Sequence, residues 1–188
     1  MKTRLIVTAT AASLLAATAA ATPVCLERAN FATPTSRYFF SDAGDTVTDT
    51  STGLVWQRCL LGQTFQDGGT PFVYQDDTCS DAPGAASNWS AALQGAVDYN
   101  NEQSAAGQPA NWRVPNRKEL ATIEELRCTL PALNPIVFPS VPPESLLWAS
   151  TPLLDATSLS AWVLDAWNGG ITTAAKAGAN RVRLVRDP

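Results

Sequence analysis

The chain has 188 residues, 13 basic against 17 acidic, no histidine, and a formal charge of −4. That balance disfavours nucleic acid and anionic membranes as partners. Without histidine there can be no Ser-His or Cys-His nucleophile pair.

Lys2 and Arg4 precede an apolar run from Leu5 to Ala17, and Ala19-Ala20-Ala21 follows it. This is the three-part layout of a secretory signal, with cleavage expected after Ala21. The run is shorter than the roughly 20 residues a bilayer span requires, so no stable membrane insertion is expected after cleavage. Thr22-Pro23-Val24 lacks the small residue that a lipid-anchored cysteine would need before Cys25. The expected location is the periplasm or the exterior of the cell. Taking 21 residues from 188 leaves 167, the size of one domain. Lys2 and Arg4 leave with them, so the 13 basic residues fall by two to 11 against 17 acidic, a charge of −6.

All four cysteines, Cys25, Cys59, Cys79 and Cys128, lie in the mature chain and read as two disulfides. Spacing allows three connectivities. The favoured one joins Cys59 to Cys79 around a polar loop and Cys25 to Cys128, which ties down an N-terminal segment spanning 22–45. A zinc site is disfavoured because histidine and CxxC pairs are absent.

From Arg37 to Arg58, two-residue alternation broken by Ser41-Asp42-Ala43-Gly44 and by Asp49 to Gly53 predicts an antiparallel meander. Gly62 to Gly84 is rich in turn formers and reads as a surface loop, with Asp76, Asp77 and Asp81 as solvated charges rather than calcium ligands. Trp89, Ala92, Leu93, Ala96, Val97 and Asn100 fall on one face of a helix beginning near Ser87 or Asn88 and ending by Gly107. A second helix opens at Asn116 with Glu119 completing a capping box, and Leu120, Ile123 and Leu126 form its apolar stripe.

Five prolines between Thr129 and Pro143 predict an extended, irregular crossing. Strands are expected at Leu146 to Ser150, at Ala161 to Trp167, after a turn at Asn168-Gly169-Gly170 from Ile171, and at Arg181 to Val185. In the last of these, Val182 and Leu184 point one way while Arg181 and Arg183 point the other. This order of elements predicts an α+β domain, with two helices packed on a twisted antiparallel sheet and long irregular loops.

Four stretches carry a resemblance. They are Thr46-Val47-Thr48-Asp49 with Thr52-Gly53-Leu54-Val55-Trp56-Gln57-Arg58-Cys59; Asn111-Trp112-Arg113-Val114-Pro115-Asn116-Arg117-Lys118-Glu119-Leu120; Trp148-Ala149-Ser150-Thr151-Pro152; and Val182-Arg183-Leu184-Val185-Arg186. In this order and spacing they resemble the Lcl C-terminal domain family, named after the C-terminal domain of a bacterial collagen-like adhesin. Cys128 ahead of Pro131-Ala132-Leu133-Asn134-Pro135, with Val137-Phe138-Pro139, also looks like this family. The likeness assigns residues 46–188 to that domain. It implies a C-type-lectin-like fold, shared with the formylglycine-generating enzyme group, and, for the adhesin branch, binding of sulfated polysaccharides by a trimer. Here there is no Gly-X-Y stalk to drive trimerisation, and the acidic balance is opposite to that of a polyanion receptor. No cysteine follows Cys128, so the oxidase chemistry of the enzyme group is not expected.

The chain therefore reads as a non-catalytic recognition or adhesion module for a surface glycan or polysaccharide, or alternatively as a subunit that binds another envelope protein. A homo-oligomer is compatible with either reading, and no cofactor or metal is expected. The candidate ligand-binding residues are Arg113, Arg117, Lys118, Trp162, Trp167, Arg181 and Arg183. With Arg186, the basic ones can form a cationic patch if the last strand lies beside the second helix. The competing expectation is that Arg113 and Arg183 pair internally with Glu119, Glu124 or Asp165. Trp56, Trp112 and Trp148 are expected in the core, and one of Trp162 and Trp167 at the surface.

Overall fold

The computed structural model describes residues 24–26, 33–70, 73–80, 84–154 and 159–188. The signal sequence placed at 1–21, and Asp81, lie outside them. In chain order the described elements are β1 (Val24–Cys25), a 3-10 turn (Thr35–Arg37), β2 (Tyr38–Phe40), β3 (Thr46–Asp49), β4 (Val55–Gln57), β5 (Thr64–Gln66), β6 (Thr78–Ser80), α1 (Trp89–Ala105), α2 (Arg117–Ala121), β7 (Cys128–Thr129), β8 (Leu146–Pro152), β9 (Ser160–Asp165), β10 (Ile171–Ala175) and β11 (Val185–Arg186). The class is α+β. The strands divide among four small antiparallel sheets rather than one, ordered β1-β7, β10-β9-β8, β11-β4-β3-β2 and β5-β6.

The meander β2-β3-β4 forms where alternation predicted it. Asp49 ends β3 and organises the turn that follows, accepting from the Ser51 amide at 2.9 Å and the Thr52 hydroxyl at 2.7 Å. Gly53 then takes φ +76°, a conformation L side chains rarely adopt. The stretch 62–84 is not all loop, because β5 and β6 pair within it and Cys59–Cys79 closes its base. The second disulfide, Cys25–Cys128, sits in the β1-β7 pair and fastens the N-terminal segment to the body. Both are the pairings favoured from the sequence.

Asn88 caps α1, accepting from the Ala91 amide, and Ala92 and Ala96 bury that helix against the three-stranded sheet with Trp148, Val163 and Val182. Val97, expected on the same face, is 50% exposed, since it falls at the edge of the stripe. Asn100 locks α1 to the next segment with a reciprocal pair of bonds, Nδ2 to the Trp112 carbonyl at 2.7 Å and the Trp112 amide to Oδ1 at 2.9 Å. On the other face of the sheet, α2 carries the expected capping box between Asn116 and Glu119. It ends at Ala121, so the helical period lapses: Leu120 and Ile123 are buried but Leu126 is 75% exposed.

The proline-rich crossing runs through the second core cluster, where Leu133, Val137 and Phe138 pack with Tyr38, Trp56, Leu147 and Leu164. Asn134 shapes it, accepting from the Ile136 amide at 3.0 Å and donating to the Thr33 carbonyl at 2.8 Å. Trp56, Trp112 and Trp148 are all buried.

The last predicted strand is corrected. Only Val185–Arg186 pairs as a strand, with β4. The preceding residues form a seam: the Trp148 amide donates to the Arg181 carbonyl on one side, and the Leu61 and Gln57 amides donate to the carbonyls of Val182 and Leu184 on the other. This seam joins the three-stranded and four-stranded sheets.

Candidate functional site

The structure tests the cationic patch by placing each arginine. Arg113 and Val185 exchange backbone hydrogen bonds at 2.8 and 2.9 Å, so the C-terminal segment does lie beside the start of α2. The side chains nevertheless disperse. Arg113 pairs with Glu119 at 2.7 Å and with Asp187 at 2.9 Å, an internal pairing expected as its alternative. Arg186 lies over the Trp112 ring, 5.3 Å from its centroid. Arg181 donates from Nε to the Ser145 hydroxyl at 3.0 Å.

Arg183 is the clearest departure from the patch, because it is fully buried. Nη1 donates to the carbonyls of Gln57 and Arg58 at 2.7 and 2.6 Å, and the guanidinium lies over Phe138, 4.4 Å from the ring centroid. Among the described residues it has no carboxylate partner, so the expected pairing with Glu119, Glu124 or Asp165 is not what holds it. Burial pulls its pKa well down from the ordinary arginine value. It belongs to the core and is not available to a ligand.

What remains at the surface is a cleft between α2 and β9-β10. It has a volume of about 320 Å³ and is lined by Arg117, Lys118, Ala121, Trp162 and Ile171. Local structure positions each group. The Arg117 amide donates to the Thr151 hydroxyl at 3.0 Å, and the Asn116 cap starts the helix there, which fixes the side chains of the first turn over the sheet. Trp162 lies opposite Thr173, and Ile171 opposite Leu164, in the β9-β10 ladder. Trp162, Leu164, Ile171 and Thr173 therefore share the face toward α2. The Arg117 guanidinium covers the indole, 4.5 Å from its centroid. Such a cation–π contact is worth about 0.5–1 kcal/mol at an exposed site.

Three candidates from the sequence, Arg117, Lys118 and Trp162, thus meet in one shallow cleft. Arg113, Arg181 and Arg183 do not line it. Trp167 is 40% exposed but stands in the turn after β9, since the strand ends at Asp165 and the predicted alternation does not reach it. Sequence reasoning missed Ile171 and Ala121 as the cleft's apolar floor. The sequence carried no signal for Ile171, because a turn at Asn168-Gly169-Gly170 sets it opposite Trp167, whereas the observed register sets it opposite Leu164 and on the Trp162 face. Glu124, in the segment after α2, accepts from the Gly170 amide beside the start of β10, and burial raises its pKa.

Two larger grooves, of about 410 and 480 Å³, flank the β5-β6 hairpin. The aromatic rings of the second, Phe40, Phe65 and Tyr74, already surround the Arg58 guanidinium, at 4.8, 5.1 and 5.8 Å. Those rings serve the fold. Asp77, expected to be solvated, is buried there against Arg58. Among the described residues no group of three or more His, Cys, Asp or Glu is placed to hold a metal ion, and no helix is long and apolar enough to cross a membrane.

The Lcl C-terminal domain model matches residues 45–186, three quarters of the chain and the whole span between β3 and β11. The chain belongs to the Lcl C-terminal domain family. The matched span holds both helices, the seam at Arg181 to Leu184 and every residue lining the α2-β9 cleft. In this Lcl C-terminal domain, β2 of the preceding segment pairs with β3 inside the same sheet. No curated protein matches the chain.

Proposed function

We propose that this Lcl C-terminal domain is an exported, non-catalytic recognition module of C-type-lectin-like fold that binds a surface glycan through the α2-β9 cleft. The observation that carries this reading is the convergence of Trp162 with Arg117 and Lys118 in a shallow, open cleft. Arg117 already lies over the indole, so a sugar ring meets the part of the indole left exposed beside it, and the two cations can hold a carboxylate or sulfate on that ring. The cleft's volume is at the lower end of the range for small-ligand sites, which suits one or two sugar units rather than a deep substrate pocket. Two disulfides in one small domain accord with an oxidising, exported setting.

The test is a glycan array that includes sulfated and uronate-bearing polysaccharides, probed with the oxidised protein and with Trp162→Ala and Arg117→Ala. The expected result is binding to a defined acidic glycan class, weakened at least tenfold in Trp162→Ala. Folded protein that retains no glycan of any class would overturn the reading.

A further inference from the structure

The three-stranded sheet ends in β10, and among the described residues nothing pairs with its outer edge. The hydrogen-bond phase of the β9-β10 ladder shows which groups face outward. The Asp165 amide donates to the Gly170 carbonyl and the Lys176 amide to the Leu159 carbonyl. In an antiparallel pair, bonded and non-bonded positions alternate, so Thr172 and Ala174 also bond to β9. Ile171 and Thr173 consequently turn both their N–H and C=O groups away from the sheet.

Proteins usually blunt such an edge with lysine, proline, a bulge or a very short strand. The other described edge strands are either short or covered. β2 is only three residues long, and the outer side of β8 is taken up by Arg181. In contrast, β10 reads Ile171-Thr172-Thr173-Ala174-Ala175, five residues without a charge, a proline or a register shift. Thr172 and Thr173 are exposed.

We infer that the β10 edge accepts an extended, acidic segment of a partner protein as an added strand. The register places Ile171 and Thr173 on the face that carries Trp162, and the cleft on that face is lined by Arg117 and Lys118 with no carboxylate among its lining residues. Alternate side chains of an added strand fall on that face, two residues apart, and carboxylates there meet the two cations. A second copy of this chain fits less well. Antiparallel pairing of β10 with β10 sets an uncharged strand, Ile171 to Ala175, against the edge, so no carboxylate meets Arg117 and Lys118. The open backbone edge is independent of the glycan reading, but the acidic preference uses the same Arg117-Lys118 pair, so an acidic glycan and an acidic strand compete there while only the strand protects the Ile171 and Thr173 amides.

The experiment pans a phage-displayed library of random decapeptides on the oxidised protein. Synthetic versions of the enriched peptides are then tested by amide hydrogen exchange and by binding to Thr173→Pro. Because the Thr173 N–H faces outward, proline there removes a docking donor while leaving the bonds to β9 in place. The expected result is enrichment of sequences with Asp or Glu two positions apart. Exchange at Ile171 and Thr173 slows at least tenfold on binding, and affinity falls at least tenfold in Thr173→Pro and in Arg117→Glu/Lys118→Glu. The exchange measurement uses the unmodified protein and so stands even if a variant fails to fold. The inference is overturned by a library without enrichment, by bound peptides that leave Ile171 and Thr173 exchange unchanged, or by a concentration-dependent dimer that Thr173→Pro dissolves. The last result assigns the edge to a second copy instead.

Discussion

The guanidinium of Arg58 and the carboxylate of Asp77, both buried, meet at 2.6 Å and join the end of β4 to the loop end of the β5-β6 hairpin. Arg58 also donates to the carbonyls of Gly44, Ile136 and Val137, so one side chain ties the meander, the hairpin and the proline-rich crossing together. Removing the carboxylate leaves a buried cation without its counter-charge, a loss of about 3–5 kcal/mol for pairs of this kind. Asp77→Ala is therefore expected to lower unfolding stability by about that amount in urea titrations. A loss below about 1 kcal/mol would mean that the carbonyl ring alone compensates Arg58.

Asp49 supplies a pH signature. Burial alone would raise its carboxyl, but the Arg37 guanidinium at 2.6 Å, the Thr52 hydroxyl and the Ser51 amide outweigh that and hold it below its ordinary value of 3.8. The unfolded chain takes up this proton first as pH falls. The stabilisation is therefore complete above the unfolded value and is lost as pH drops through the lowered folded value. Urea midpoints of the natural protein and Asp49→Asn should differ by a constant amount well above pH 3.8 and converge as pH falls below it. A gap that persists unchanged below that value would assign the stabilisation to geometry rather than to charge.

The two disulfides should differ in weight. Cys25–Cys128 spans a sequence separation of 103 and Cys59–Cys79 one of 20. Loop-closure entropy gives about 4.7 kcal/mol for a closure near 100 residues and about 3 kcal/mol for one near 20. Cys25→Ser/Cys128→Ser should lower the Tm more than Cys59→Ser/Cys79→Ser. The reverse order in thermal melts would show that the hairpin contacts behind Cys79 dominate.

Asn116 is the acceptor for the Lys118 and Glu119 amides and sets the first turn on which Arg117 stands. Asn116→Ala removes that cap and is expected to cost about 1–2 kcal/mol, whereas Asn116→Asp retains an acceptor and should cost little. Chemical denaturation of the pair checks this. Equal losses would place the effect outside the cap.

Most of the local structure was legible in the sequence. The Asn88 and Asn116 caps, the meander turns and the return strand from Ile171 rest on turn chemistry and on periods of two or 3.6 residues, which act within a few residues of the chain. Leu126 escaped this reading because α2 stops at Ala121 once its capped first turn has packed on the sheet. The candidate site was half legible. Arg117 and Lys118 stand next to each other in the chain, but nothing local says that Trp162, far along it, will lie beneath Arg117.

By itself the sequence determined the class of the domain, where its helices begin, its even set of cysteines and its acidic balance. Only the tertiary structure decided that Arg183 turns inward onto Phe138 while Arg117 stays out on Trp162, and that β10 is left as an edge. Alternation assigns a side chain to one face of a strand, but whether that face meets water or another layer is settled by segments more than a hundred residues apart. In this protein the seam at Arg181 to Leu184 has packing on both sides, so the face that local pattern marked as polar became interior.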